Sequence, residues 1–82
     1  MVNLLKVFHN QGQADASDGD FSSPDTITHS IEEITAYYQG YFSTRGQIDG
    51  SENNYDPPSF DDLGAREIYD EAWEAAYENR EE

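Results

Sequence analysis

The apolar positions of this chain fall into two helical stripes and one short block, separated by long polar stretches. The first stripe opens at Ser30. Ser30-Ile31-Glu32-Glu33 matches the capping box, in which the serine oxygen accepts from the third helical N–H and the glutamate reaches back to the serine N–H. Ile31, Ile34, Tyr38 and Tyr41 then recur at i, i+3, i+7 and i+10, one face of a helix. Gly40 marks its end, so the pattern predicts a helix over about 30–41.

The second stripe is longer. Ser59 follows Pro57-Pro58, Asp62 stands three residues on, and Leu63, Tyr69, Ala72, Trp73, Ala76 and Tyr77 follow at helical spacing. Together they predict a helix over 59–79. Arg66 can pair at i,i+4 with Asp62 and Asp70 for about 0.2–0.5 kcal/mol each. Gly64 weakens the first turn by roughly 1 kcal/mol relative to alanine.

The remaining block, Val2 to Phe8, is the most apolar run and has the length and flanks of a short strand. Its apolar residues do not alternate, which leaves a short helix open. Residues 10–24 read as a loop of Gly, Ser, Asp and Gln. Thr26-Ile27-Thr28 suits a brief β-bridge to the N-terminal strand. Residues 43–58, with Gly46, Gly50, Asn53-Asn54 and Pro57-Pro58, read as a second loop. The expected fold class is therefore α+β or mostly α. It would be one small domain over residues 1–82, with a short N-terminal strand, two amphipathic helices and long acidic loops.

Composition adjusts this picture. Leu, Ile, Val and Phe together make less than a fifth of the chain, which beside a high net charge lies toward disorder. Six tyrosines and Trp73 offset this, each able to bury roughly 150–250 Å². An ordered but marginal fold with a leucine-poor, tyrosine-filled core is expected, Tyr38, Tyr69 and Trp73 being the candidates for it. Without cysteine there is no disulfide framework, thiolate zinc site or thiol nucleophile. Leu4-Leu5 and Val7-Phe8, split by Lys6, fall short of a signal-peptide core of about 7–15 apolar residues. No membrane span is expected, and the expected location is the cytoplasm.

Charge changes the picture most. Eighteen acids stand against four bases, for a formal charge of −14. A small domain needs a net charge of only about 2–8 for solubility. Half of the acids fall in the last 22 residues: Asp61, Asp62, Glu67, Asp70, Glu71, Glu74, Glu78, Glu81 and Glu82. Glu67, Asp70, Glu71, Glu74 and Glu78 are three or four apart, which makes a continuous helical ridge. Its i,i+4 like-charge pairs each cost a few tenths of a kcal/mol. Acids at a helix C-terminus also oppose the macrodipole. Local stability would not choose this spacing, and such breaches concentrate at functional sites. At a rise of about 1.5 Å per residue the ridge carries one charge per ~4 Å. One DNA strand carries a phosphate per ~3.4 Å. Glu32, Glu33, Asp49, Glu52 and Asp56 would extend this acidic surface.

Other chemistry is weakly signalled. Asp49, Ser51 and Asn53 echo the start of a calcium loop, but Asn54 replaces the turn glycine and Phe60 the bidentate glutamate. Asp15, Asp18 and Asp20 lack a correctly placed glycine. His9 and His29 have no second histidine at ligand spacing, so no metal and no cofactor are expected. Phosphate-binding glycine loops and nucleophile elbows are absent from the sequence. An enzyme is the least favoured class, and direct binding of nucleic acid is disfavoured by charge.

In size and charge the chain resembles phage-encoded DNA mimics that block restriction enzymes, CRISPR effectors or uracil-DNA glycosylase, although no family motif aligns with it. That resemblance implies an inhibitor whose partner is a protein with a cationic nucleic-acid-binding groove, acting in an infected host cell. Two other readings stand beside it. One is an interaction module gripping its partner through Tyr37 or Tyr55, and the other is a small domain adapted to high salt. Pairing of two copies is left open.

Overall fold

The computed structural model describes residues 4–25, 27–60 and 62–80. It contains three α-helices, α1 (Leu4–Asp18), α2 (Ile31–Ser51) and α3 (Ala65–Arg80), with a 3-10 turn at Asp62–Gly64 before the last. No strand occurs among the described residues, so the fold is all-α and not α+β. Of the apolar block expected as a strand, Leu4 to Phe8 begin α1, which runs on through most of the segment expected as a loop, and Val2 and Asn3 lie outside the described residues. Ile27 and Thr28, expected in a β-bridge, lie instead in a turn whose N–H groups donate to the Asp25 carboxylate at 2.9 and 2.8 Å. Thr26 lies outside the described residues.

The capping box that opens α2 is present. Ser30 Oγ accepts from the Glu33 N–H at 3.2 Å, and Glu33 Oε1 accepts from the Ser30 N–H at 2.8 Å. The helix does not stop near Gly40 but continues to Ser51 through Gly46 and Gly50. Those glycines are places of close packing. A Cβ on Gly40 would collide with the His9 carbonyl on α1, and one on Gly46 would lie 2.5 Å from the Tyr69 carbonyl oxygen on α3. The C-terminal helix starts later than its punctuation suggests. Leu63 and Gly64 adopt positive φ of 54° and 75°, which breaks the 3-10 turn from α3.

Both α1 and α3 pack on α2, and they make little contact with one another. Neighbouring helices run in the same direction. Gly46 meets Tyr69 and Ala72, and Gly50 meets Trp73 and Ala76. Leu5 shares a groove with Ile31, while the carbonyl of Ala16 receives Arg45 at 3.2 Å. Parallel neighbours require return segments, and the two interhelical loops cross back over one face of the layer. That face is aromatic. Phe21, in the first return loop, packs its ring 4.9–5.8 Å from those of Tyr37, Tyr38, Tyr41 and Phe42. Phe60, in the second, packs on Tyr38 and Phe42. The buried apolar residues are Ala16, Ile34, Tyr37, Tyr41, Phe42, Ala65 and Tyr69, of which Tyr37 and Tyr69 are the largest fully buried side chains. Tyr69 was expected there. Tyr38 and Trp73 are only half-buried.

The two helix pairs are built alike. Asp15 on α1 accepts from the Tyr37 hydroxyl at 2.5 Å and from Gln11 Nε2 at 2.8 Å, while the Tyr37 oxygen accepts from the Ser22 N–H at 2.9 Å. Asp49 on α2 accepts from the Tyr69 hydroxyl at 2.6 Å and from Arg45 Nη2 at 3.0 Å, while the Tyr69 oxygen accepts from the Asp56 N–H at 2.8 Å. Each tyrosine thus pins the return loop to the helix before it. Both helices also end in the same Schellman arrangement. Asp20 N–H donates to Asp15 O and Asn54 N–H to Asp49 O, with Gly19 and Asn53 at positive φ of 72° and 57°. The sequence carries this duplication at a spacing of 34 residues. Phe8, Gly12, Gln13, Asp15, Ser17, Phe21 and Pro24 correspond to Phe42, Gly46, Gln47, Asp49, Ser51, Tyr55 and Pro58.

Candidate acidic docking surface

The amphipathicity of α3 separates its two sides sharply. Ala65 and Tyr69 are buried, and Ile68, Ala72, Trp73, Ala76 and Tyr77 are half-buried. On the other side Glu67, Glu71, Glu74 and Glu78 are all exposed. Their spacing of four, three and four keeps them on one face, over about 16 Å of helix axis. Asp62 is exposed in the 3-10 turn just before, and Asp61 lies outside the described residues.

Asp70 stands at the margin of this ridge. It is half-buried, and its carboxylate accepts the Tyr55 hydroxyl at 2.7 Å. This hydrogen bond, with a smaller contribution from burial, pushes the Tyr55 hydroxyl above its ordinary value near 10; the nearby Arg66 acts in the opposite direction. The Tyr55 ring meets Trp73 edge-on at 5.5 Å, and the Trp73 Nε1–H donates to the Asn54 carbonyl at 3.1 Å. Tyr55 is 52% exposed, yet its hydroxyl and one side of its ring already serve the fold.

The other acids expected on the same surface are dispersed. Glu32 is exposed and Glu33 half-buried at the N-terminus of α2, where the Glu33 carboxylate closes the capping box. Glu52 is exposed at its C-terminus, about 30 Å away along the axis, and Asp56 is exposed in the return loop, where its N–H donates to the Tyr69 hydroxyl. Asp49 is 2% exposed and therefore presents no charge to a partner. It is held by Arg45 and Tyr69, and Arg45 also donates to the last turn of α1, where a cation complements the helix dipole. Tyr37 is fully buried, so it too is unavailable as a surface tyrosine. Burial, then the hydrogen bond to Asp15, pushes its hydroxyl well above the ordinary tyrosine range.

What the composition and spacing arguments missed is the paired aspartate–tyrosine bridge and the exposed apolar start of α1. The 34-residue repetition of Phe, Gly, Asp and Pro marks the two aspartates of the first, though not their tyrosine partners, which stand 32 residues apart. Among the described residues no helix is long and apolar enough to cross a membrane. The chain matches no protein-family model, no curated protein and no solved structure.

Proposed function

We propose that this protein is a non-enzymatic, acidic nucleic-acid mimic that occupies the basic groove of a nucleic-acid-binding protein and excludes DNA or RNA from it. The supporting observation is the exposed row of Glu67, Glu71, Glu74 and Glu78 on one face of α3. Glu67–Glu71 and Glu74–Glu78 are like-charged i,i+4 pairs, which cost the helix stability. Their carboxylates recur about every 5.5 Å of helix axis, a sparser row than the ~3.4 Å phosphate repeat of one DNA strand but of a single sign throughout. A lysine- and arginine-lined groove built for phosphates would accept such a row. A helix already folded on a packed core loses little entropy on docking. The partner class is a defence nuclease, such as a restriction enzyme or CRISPR effector, or a DNA-repair enzyme.

The test is capture of partners from a cell lysate on the immobilised protein, eluted in salt steps. Nucleic-acid-binding proteins should be retained at low salt and released steeply as salt rises. A Glu71→Lys, Glu74→Lys, Glu78→Lys variant should lose them while its far-UV circular dichroism still reports a folded chain. Retention of the same proteins at full strength by that variant refutes the proposal.

A further inference from the structure

Tyr37, Tyr41 and Tyr69 are all buried, but only two of their hydroxyls are employed by the fold. Tyr37 and Tyr69 each donate to an aspartate and accept from a loop N–H. Tyr41 is 8% exposed, and its hydroxyl makes no hydrogen bond among the described residues. Every fully buried side-chain nitrogen or oxygen among those residues has a partner. The Tyr41 oxygen is therefore not sealed in, and it opens on a cavity of about 290 Å³ that Tyr41 lines. A polar atom so deeply placed and left unused marks a site for a ligand.

The cavity lies where both return loops cross α2. Gly19 from the first loop and Asp56, Pro57 and Pro58 from the second line it together with Phe42 and Arg45 of α2. Its volume is at the lower end of the range of small-ligand sites, about 300–1,000 Å³. Phe42 and the two prolines make it apolar. Against them stand few polar groups: the Tyr41 hydroxyl, the Asp56 carboxylate and the Arg45–Asp49 pair.

Charge then selects the ligand. Arg45 is already engaged, with Asp49 at 3.0 Å balancing its charge and the Ala16 carbonyl at 3.2 Å. The exposed Asp56 carboxylate is left as the net charge of the lining, and the exposed Asp20 stands next to Gly19 at its edge. Burial pushes the Tyr41 hydroxyl above its ordinary value, Arg45 acts in the opposite direction, and Asp20, Asp15 and Asp49 add to the rise. An anion would be repelled here and a cation attracted. Among cations a guanidinium suits the walls best, because it is planar, weakly hydrated and offers several N–H donors at once. We propose that this cavity binds the guanidinium of an arginine, free or carried on a polypeptide. Its N–H groups donate to the Tyr41 oxygen and the Asp56 carboxylate, and its stem lies against Phe42, Pro57 and Pro58.

This inference stands without the proposed function, although a cationic partner is one carrier of such a side chain. Amide shifts of the ¹⁵N-labelled chain, titrated with N-acetylarginine amide at constant ionic strength, test it. Saturable shifts should cluster at Gly19, Tyr41, Arg45, Asp56 and Tyr69. The uncharged isostere N-acetylcitrulline amide should bind at least about tenfold more weakly. Tyr41→Phe removes an oxygen on which the fold does not rely and should weaken binding about three- to tenfold. Asp56→Asn keeps the backbone N–H that Tyr69 accepts and should weaken it about tenfold or more. Free arginine, with charged termini, is the second arm. Tighter binding of the capped residue identifies a chain-borne side chain as the occupant, and equal or tighter binding of free arginine identifies the amino acid itself. Shifts that map only to α3, equal binding of the citrulline compound, or unchanged binding by both variants overturns the proposal.

Discussion

The Tyr69 hydroxyl donates to the buried Asp49 carboxylate at 2.6 Å, and its oxygen accepts from the Asp56 N–H at 2.8 Å. One atom therefore ties α3, α2 and the return loop together. Tyr69→Phe would leave a carboxylate that is 2% exposed with Arg45 as its remaining side-chain partner, and a loop amide without its acceptor. The expected loss is about 2–3 kcal/mol. Tyr37→Phe should cost less, about 1–2 kcal/mol, because Asp15 is only half-buried and can turn to water. Urea denaturation of the two variants tests the order, and equal losses would contradict it.

The same two tyrosines make stability fall in alkali. Burial, and then hydrogen bonds to Asp49 and Asp15, hold both hydroxyls protonated well above their ordinary value near 10. In the unfolded chain they ionise near 10, so above that pH the folded state binds more protons than the unfolded one. The stabilisation is complete below about pH 10 and declines as the pH rises beyond it. Urea midpoints between about pH 8 and 11 should show the decline. The Tyr37→Phe, Tyr69→Phe double variant, although weaker throughout, should show a shallower one.

Gly40→Ala should destabilise the protein even though alanine is the better helix former by about 1 kcal/mol. The new Cβ would meet the His9 backbone, which cannot swing aside as a side-chain tip would. Separating α1 from α2 should cost a net 1–3 kcal/mol, roughly the penalty of an overpacked core. Thermal unfolding measures it. An increase in Tm would mean that the helices are less closely packed than the contact requires.

Neutralising part of the ridge should have the opposite effect. Glu74→Gln with Glu78→Gln removes a like-charge pair and two anions from the C-terminal half of α3. A gain of about 0.5 kcal/mol is expected at low salt, shrinking as salt is added. The same variant should bind the proposed cationic partner less tightly. A fall in Tm at low salt would show that the ridge is stabilising as it stands.

How far the sequence was legible depended on what each residue does. Ser30 and Glu33 act locally, so the capping box was readable, and the three- and four-residue spacing of the α3 glutamates fixed their common face. Gly40, Gly46 and Gly50 misled because a glycine that ends a helix and one that admits a neighbouring backbone look the same in one dimension. α1 was obscured by Gln, Asn, Ser and Asp, whose usual preference is for turns. Here Gly12 and Ala16 face α2, and that packing outweighs local propensity. Asp49 reads as surface charge because nothing local shows that Tyr69, 20 residues on, covers it. The repeat at 34 residues relates Asp49 to Asp15, but their tyrosines, 32 residues apart, do not align in it.

α2 is the keystone of this arrangement. It supplies the tyrosine of the first bridge and the aspartate of the second, and it has a glycine-lined trough on each side. Shortening the chain before α3 would not yield a free-standing pair of helices. It would strip Asp49 of its hydroxyl partner and open the trough at Gly46 and Gly50 to water. The thirds of this molecule should therefore melt together, as coupled neighbours in a repeat do when each lacks a complete interior of its own.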